Sequence, residues 1–240
     1  MRVFSIKVEE LSVFLFIAII LSGIFYTAHQ EKQSVHNLLP GMSKVVIIDA
    51  GHGGWDPGKK GTQGVDEKEI NLQIAQKLQA FLEQGGATVY MTRTEDEALG
   101  TRKGQDMRER KSIINSMEGD ILISIHQNAF PQASVKGAQV FYYKNSEEGK
   151  KLAETIQESL ISFADNDNKR VAKSNNDYYV LRTTEIPAAL VECGFLSNSE
   201  EEKKLNDEKY QEKIAWAIYM GIMNYFSGDE FAYQVWYETE

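Results

Sequence analysis

Three uninterrupted apolar runs, each leading into a chemically active side chain, most constrain how this chain can fold. They are residues 45–49, 121–125 and 188–191, and the side chains that close or follow them are Asp49 and His52, His126, and Glu192. A strand buried on both faces reads as a continuous apolar run rather than an alternating one, and such strands belong to parallel sheets covered by helices. The covers are legible too. Ile70, Ile74, Leu78 and Leu82 recur at helical spacing until Gly85-Gly86 stops them, and Leu152, Ile156 and Leu160 mark one face of a helix over 151–163. Residues 107–117 read as another helix, and Tyr210, Ile214, Ile218, Ile222 and Tyr225 as a final amphipathic one. Further strands are expected at 87–92, 138–143 and 178–181, with a polar loop at 166–176. Strands alternating with crossover helices predict an α/β fold, a largely parallel sheet flanked by helices on both faces.

The ends of the chain carry a different signal. Residues 11–28 are uncharged and apolar, Arg2 and Lys7 precede them, and that length just spans a hydrocarbon core with the N-terminus inside. Tyr26-Thr-Ala28 is a poor small-x-small cleavage site, which favours an uncleaved anchor over a removed signal peptide. Either way the remainder is expected outside the cytoplasm, anchored or exported. The organisation predicted is a signal or anchor at 1–28, a polar linker at 29–43 holding His29 and His36, one domain at 44–226 and an aromatic tail at 227–240. Two readings stand for Phe231-Ala-Tyr-Gln-Val-Trp-Tyr237: an edge strand packed on its own domain, and a docking strip for a helper protein. A net charge of -9 supplies no basic stripe for phosphates, so nucleic acid is excluded as a partner. Cys193 is the single cysteine and sits in an apolar run, as a small buried hydrophobe rather than a nucleophile.

Four residues at element ends carry the chemistry. His52 lies in Asp49-Ala-Gly-His-Gly-Gly54, where flanking glycines permit a sharp turn and close approach to a ligand. The following Gly53-Gly-Trp-Asp-Pro-Gly-Lys-Lys60 falls short of a phosphate loop, since Lys60 stands where a hydroxyl is needed. Glu67 opens a helix behind the N-cap candidate Asp66; it is either a first-turn acid favoured by the helix dipole or an ionised metal ligand. His126 ends a strand as Ser124-Ile-His-Gln-Asn128, alongside Ser124 and not aimed at it, which argues against a serine triad. Asn128 is a candidate for holding a substrate carbonyl or orienting a ligand. Glu192 follows an apolar run, where it is either paired with a cation such as Arg182 or serves as a base of raised pKa beside a metal. Two imidazoles and one carboxylate can hold zinc with a position left for water, and a second carboxylate can take that water's proton. Together the four outline a metal-dependent hydrolase.

Over residues 45–226 the chain resembles the bacterial zinc-dependent N-acetylmuramoyl-L-alanine amidases. The matching stretches, in order, are Asp49-Ala-Gly-His-Gly-Gly54, Glu67-Lys-Glu-Ile-Asn-Leu72, Met91-Thr-Arg93, Ser124-Ile-His-Gln-Asn-Ala129 and Pro187-Ala-Ala-Leu-Val-Glu-Cys-Gly-Phe-Leu-Ser-Asn198. The resemblance implies a twisted six-stranded sheet, one zinc ion held by His52, Glu67 and His126, and Glu192 as catalytic acid and base. It implies cleavage of the amide between N-acetylmuramic acid and L-alanine of the stem peptide, with peptidoglycan as partner. Arg182 is a weaker candidate for substrate binding. Gln127 stands where alanine is more usual and is expected to be tolerated. A short chain with one anchor and no wall-binding repeats is similar to the germination-specific members of spore formers. That likeness implies removal of stem peptides on the way to muramic δ-lactam in the spore cortex, in the intermembrane space of the developing spore. Two alternatives stay open: a catalytically idle peptidoglycan-binding or regulatory protein, and a zinc peptidase cutting within the stem peptide.

Overall fold

The computed structural model describes residues 17–26 and 41–228. The chain divides into two compact units, Met1–Leu39 and Pro40–Glu240. In the first, helix α1 covers residues 17–26. Most of the expected linker with His29 and His36, the rest of the apolar stretch, and the aromatic strip 229–240 lie outside the described residues. Among the described residues no helix is long and apolar enough to cross a membrane.

The second unit runs β1 (Val45–Ala50), α2 (Glu67–Gln84), β2 (Thr88–Met91), α3 (Lys103–Ser116), β3 (Ile121–Asn128), β4 (Gln139–Tyr142), α4 (Glu147–Phe163), β5 (Lys173–Ser174), α5 (Tyr179–Thr183), β6 (Ala188–Phe195), α6 (Ser199–Leu205) and α7 (Glu208–Ser227). The strands form one six-stranded sheet in the order β2-β1-β3-β6-β4-β5. β2, β1, β3 and β6 run parallel, whereas β4 pairs antiparallel with β6. The largely parallel sheet is therefore as expected, with β4 and the edge strand β5 running the other way.

Strand alternation divides the core in two. Val46, Ile48, Ile121, Ile123, Ile125, Ala189 and Val191 face α2, α4 and α7 in the larger cluster. Ile47, Leu122 and Leu190 face the opposite way, onto Ile114 of α3 and Val180 and Leu181 of α5. Ile70, Ile74, Leu78 and Leu82 of α2 are fully buried, so the four-residue spacing is the packed stripe. Each such side chain contributes about 1.5–3 kcal/mol through removal from water. α2 ends where Gly86 turns left-handed (φ 84°), with Ala87 N–H returning to Leu82 O and Gly86 N–H to Glu83 O.

Several local expectations are corrected. Residues 178–181, expected as a strand, begin the short helix α5. The Asn175 side chain accepts from the Asp177 and Tyr178 amides, and this turn starts a helix despite β-favouring side chains. The loop at 166–176 contains the two-residue strand β5, and α6 arises where no element was foreseen. Asp66 occupies the N-cap of α2 without a side-chain cap, its carboxylate lying 3.3 Å from Lys60 instead.

The consequence for function lies at the centre of the sheet. The carboxyl ends of β1, β3 and β6 are adjacent, with Asp49 level with Ser124 and His126 level with Glu192. In open parallel sheets this rim is where ligands bind. β3 and β6 shift register just past His126, an irregularity that re-aims side chains at the rim.

Candidate active site

His52 sits on a loop shaped from below by two buried arginines. Arg93 donates through Nε to Ala50 O (2.9 Å) and through Nη2 to Gly51 O (3.0 Å) and Lys68 O (2.8 Å). Arg110 donates to Ala50 O (2.9 Å) and to His52 O. It also forms ion pairs with Asp49 (2.7 Å) and Asp106 (2.8 Å). Burial would raise the Asp49 pKa, but Arg110, His126 and the Thr92 hydroxyl hold it down at about 2. Thr92 and Ser124 hydroxyls both donate to Asp49, so Ser124 is committed to this network and forms no triad. His52 itself is left-handed (φ 61°), a conformation that strains an L side chain and persists only where surrounding contacts enforce it. Gly51 is required for another reason: a Cβ there would collide with the His126 ring.

This scaffold brings His52, Glu67 and His126 together. Glu67 Oε1 lies 3.3 Å from His52 Nε2 and 3.0 Å from His126 Nδ1. The two rings meet edge to face, 5.1 Å apart at 79°. One donor atom from each of the three lies within 4.8 Å of the others, a cluster able to hold a metal ion. His52 Nδ1 is 2.9 Å from Asp56 Oδ2. A proton held there leaves Nε2 as the lone-pair donor facing Glu67, the orienting arrangement typical of histidine ligands. Glu67 Oε2 accepts the Lys59 amide (2.7 Å), while Oε1 also accepts from Gln127 N (3.1 Å) and Asn71 Nδ2 (3.3 Å). Burial would raise the Glu67 pKa, but the two histidines hold it far below the usual carboxylate range. A nitrogen, nitrogen, oxygen donor set with an ionised carboxylate suits zinc. Gln127 Nε2 donates to Asn71 Oδ1 at 3.2 Å, bracing the residue that in turn holds Glu67 and Gly51 O, while Gln127 Oε1 is buried without a hydrogen-bond partner among the described residues.

Glu192 lies on the same sheet face as His126, one strand away. It is buried, and its partner is not Arg182 but the Tyr178 hydroxyl, which donates to Oε1 at 3.0 Å. Oε2 has no hydrogen-bond partner among the described residues. Burial, offset by His126 and reinforced by Glu67, pushes the carboxyl up to about 6. The four residues line one cleft of about 350 Å³ with Asp56, Lys59, Lys103, Asn128 and Tyr178. Asn128 is thus at the site, its Oδ1 turned back to the Ala129 amide (2.7 Å). Arg182 is absent from the lining; it is exposed, with its guanidinium 6.0 Å over the Tyr179 ring. Cys193 is buried and its thiol pushed up by burial, as befits an inert side chain.

The sequence reading missed Asp56, Tyr178, Arg110 and a pair of anchoring glutamates on α6. Glu202, fully buried, accepts the Thr62 hydroxyl and the Gln63 amide (2.9 Å) in the loop between His52 and Glu67. Its neighbour Glu201 accepts the Gly137 and Phe195 amides, each at 2.9 Å. Asp56, four residues past His52, and Arg110, four past Asp106, were the only local signals.

Such a donor cluster beside a carboxylate with one oxygen left unpartnered, at the carboxyl ends of a parallel sheet, is the layout of a metal-assisted hydrolase. The N-acetylmuramoyl-L-alanine amidase family model matches residues 46–224. The germination-specific N-acetylmuramoyl-L-alanine amidase of Bacillus subtilis is 40% identical over 197 residues, covering 79% of this chain and 82% of that relative. The CwlD amidase from Clostridioides difficile, solved in complex with the GerS lipoprotein, superposes with a TM-score of 0.76 at 44% identity, over 78% of this chain and 100% of that one. An N-acetylmuramoyl-L-alanine amidase from Clostridium difficile 630 gives 0.71 at 34% identity, over 78% of this chain and 98% of its own. The chain belongs to the N-acetylmuramoyl-L-alanine amidase family, and is a hydrolase of the amide between N-acetylmuramic acid and L-alanine.

Proposed function

We propose that this amidase holds one zinc ion through His52, Glu67 and His126 and uses Glu192 as its proton carrier, on peptidoglycan outside the cytoplasm. One observation carries the reading: Glu67 Oε1 is shared at 3.0 and 3.3 Å by two imidazole nitrogens, while the neighbouring Glu192 keeps a partnerless oxygen. Bound there, zinc lowers the pKa of water and polarises a carbonyl. Glu192 Oε2 takes the proton of the attacking water as the carbon–oxygen bond forms. It then gives a proton to the alanine nitrogen as the carbon–nitrogen bond breaks, leaving free muramic acid carboxylate and a free amine. Asn128 at the cleft edge is assigned to substrate positioning, and nothing in the geometry supports that role for Arg182.

The proposal extends to setting. Residues 44–226 are the catalytic domain, residues 1–28 the membrane anchor and 29–43 the linker. The B. subtilis relative named for germination favours a spore role, in which stem peptides are stripped as a step toward muramic δ-lactam. The lipoprotein in the C. difficile complex favours a membrane-tethered helper protein, for which the tail 227–240 is the proposed dock.

The test is to incubate the zinc-loaded full chain in detergent with purified peptidoglycan, beside Glu192→Gln. New N-terminal L-alanine is expected, with turnover roughly 10²–10⁴-fold lower in the variant. Free amines on other stem residues would replace the reading with a peptidase. No release by zinc-bound protein, with or without a lipoprotein partner, would leave only peptidoglycan binding.

A further inference from the structure

Tyr178 touches Glu192, lines the cleft and belongs to none of the roles assigned so far. Its hydroxyl donates to Glu192 Oε1 at 3.0 Å. The ring is itself held in place from several sides. Asn175 Oδ1 accepts the Tyr178 amide at 3.1 Å, Arg182 N–H returns to Tyr178 O at 3.1 Å, and the Phe141 ring meets it edge-on at 5.3 Å. The ordering cost of the hydroxyl is therefore met by packing before it bonds anything.

We propose that Tyr178 is a positioning residue that fixes the Glu192 carboxylate so that Oε2 alone carries the proton. This rests on the reading of Glu192 as proton carrier. A glutamate carboxylate turns about a broad terminal torsion, and an unpinned one offers either oxygen to the cleft. The phenol is a donor to an ionised carboxylate, which can only accept. Oε1 is thereby occupied, and the buried, partnerless Oε2 is the oxygen left for the proton of the attacking water. The bond from Tyr178 is strongest while Glu192 is ionised, because charge-assisted hydrogen bonds exceed neutral ones. It therefore favours handing the proton on to the leaving nitrogen and restores the carboxylate for the next turnover. Burial and the adjacent Glu192 both raise the phenol's pKa, so it stays protonated throughout.

Tyr178→Phe tests this, since it keeps the ring against Phe141 and removes only the donor. It is measured as the zinc-loaded full chain beside wild type and Glu192→Gln, with zinc content and thermal midpoint recorded for each. The expected result is a kcat about tenfold lower or more, KM within about twofold, wild-type zinc content, and a midpoint lowered by no more than the loss of one buried hydrogen bond. Wild-type kcat in Tyr178→Phe, with Glu192→Gln inactive, would overturn the positioning role and leave the proton-carrier reading intact. A raised KM at unchanged kcat would also overturn it, by making the phenol a substrate contact. Loss of zinc, or a midpoint that falls below the assay temperature, in Tyr178→Phe would reduce Tyr178 to a structural residue. An active Glu192→Gln would sink the proton-carrier reading, and this inference with it.

Discussion

Arg110 Nη1 and Asp49 Oδ1 meet at 2.7 Å in a fully packed interior, and the same guanidinium reaches the carbonyl of His52. The pair sits under the active site as a hub: Asp49 also gathers the Thr92 and Ser124 hydroxyls, and Arg110 also binds Asp106. Removing one member of a buried ion pair strands the other. Arg110→Met is expected to destabilise by about 3–5 kcal/mol in urea unfolding. The double substitution Asp49→Leu with Arg110→Met should cost less than the sum of the two single substitutions, because the pair is lost only once. Strict additivity of the two costs would refute the pairing as the source.

Gly51→Ala addresses the metal site by shape alone. The added Cβ would overlap the His126 ring, which must then swing from Glu67 or push the loop outward. Zinc affinity, measured by competition with a chelator, is expected to fall by at least about tenfold. Wild-type affinity would mean that His126 is not a ligand in the arrangement described.

Glu192 gives a pH-dependent stability signature in zinc-free protein. Its carboxyl is pushed from 4.5 to about 6 on folding, so the native state binds the proton more tightly than the unfolded chain. The stability this provides is complete below pH 4.5 and is lost as pH rises through 6. Glu192→Gln mimics the protonated form and should therefore be the more stable protein at pH 7.5, by about 2 kcal/mol. That gain should vanish near pH 4. Unfolding curves at both values decide it, and an equal difference at both would exclude the buried carboxyl as its origin.

Zinc itself should act as a folding ligand. Saturation at a hundredfold above Kd adds about 2.7 kcal/mol and raises the thermal midpoint, and a chelator should abolish turnover and reverse the shift. Glu67→Gln keeps volume but loses the ionised oxygen both histidines share, so its midpoint should not respond to zinc. A response equal to wild type would place the ion elsewhere.

The parts legible in the sequence are those where one physical demand dominates. β1, β3 and β6 are buried on both faces, so composition alone marks them, and His52, His126 and Glu192 stand out because apolar runs precede them, although β3 and β6 continue past His126 and Glu192 to Asn128 and Phe195. Tyr178 misled because two tyrosines and a valine favour a strand, while the decisive Asn175 turn lies upstream. Arg110 was hidden among its charged neighbours Arg108, Glu109 and Lys111, from which residue type does not separate it, although Arg110 alone of the four is buried. α6 has no apolar period, since its inward side chains are Glu201, Glu202 and Leu205. Networks of buried charge depend mostly on pairing across elements distant in sequence, and of this one only the Asp106–Arg110 spacing is local.

The two glutamates of α6 impose a last constraint. Glu202 fastens the loop ahead of Glu67, Glu201 fastens the end of β6, and Glu192 lies on that same strand. The stretch from Glu192 to Glu202 thus works as a ruler that sets one half of the catalytic centre against the other. Insertions or deletions within it would put the two halves out of step while leaving every catalytic side chain intact. Length variation should therefore be tolerated in the outer loop around β5, whereas this segment should accept changes of letter but not of count.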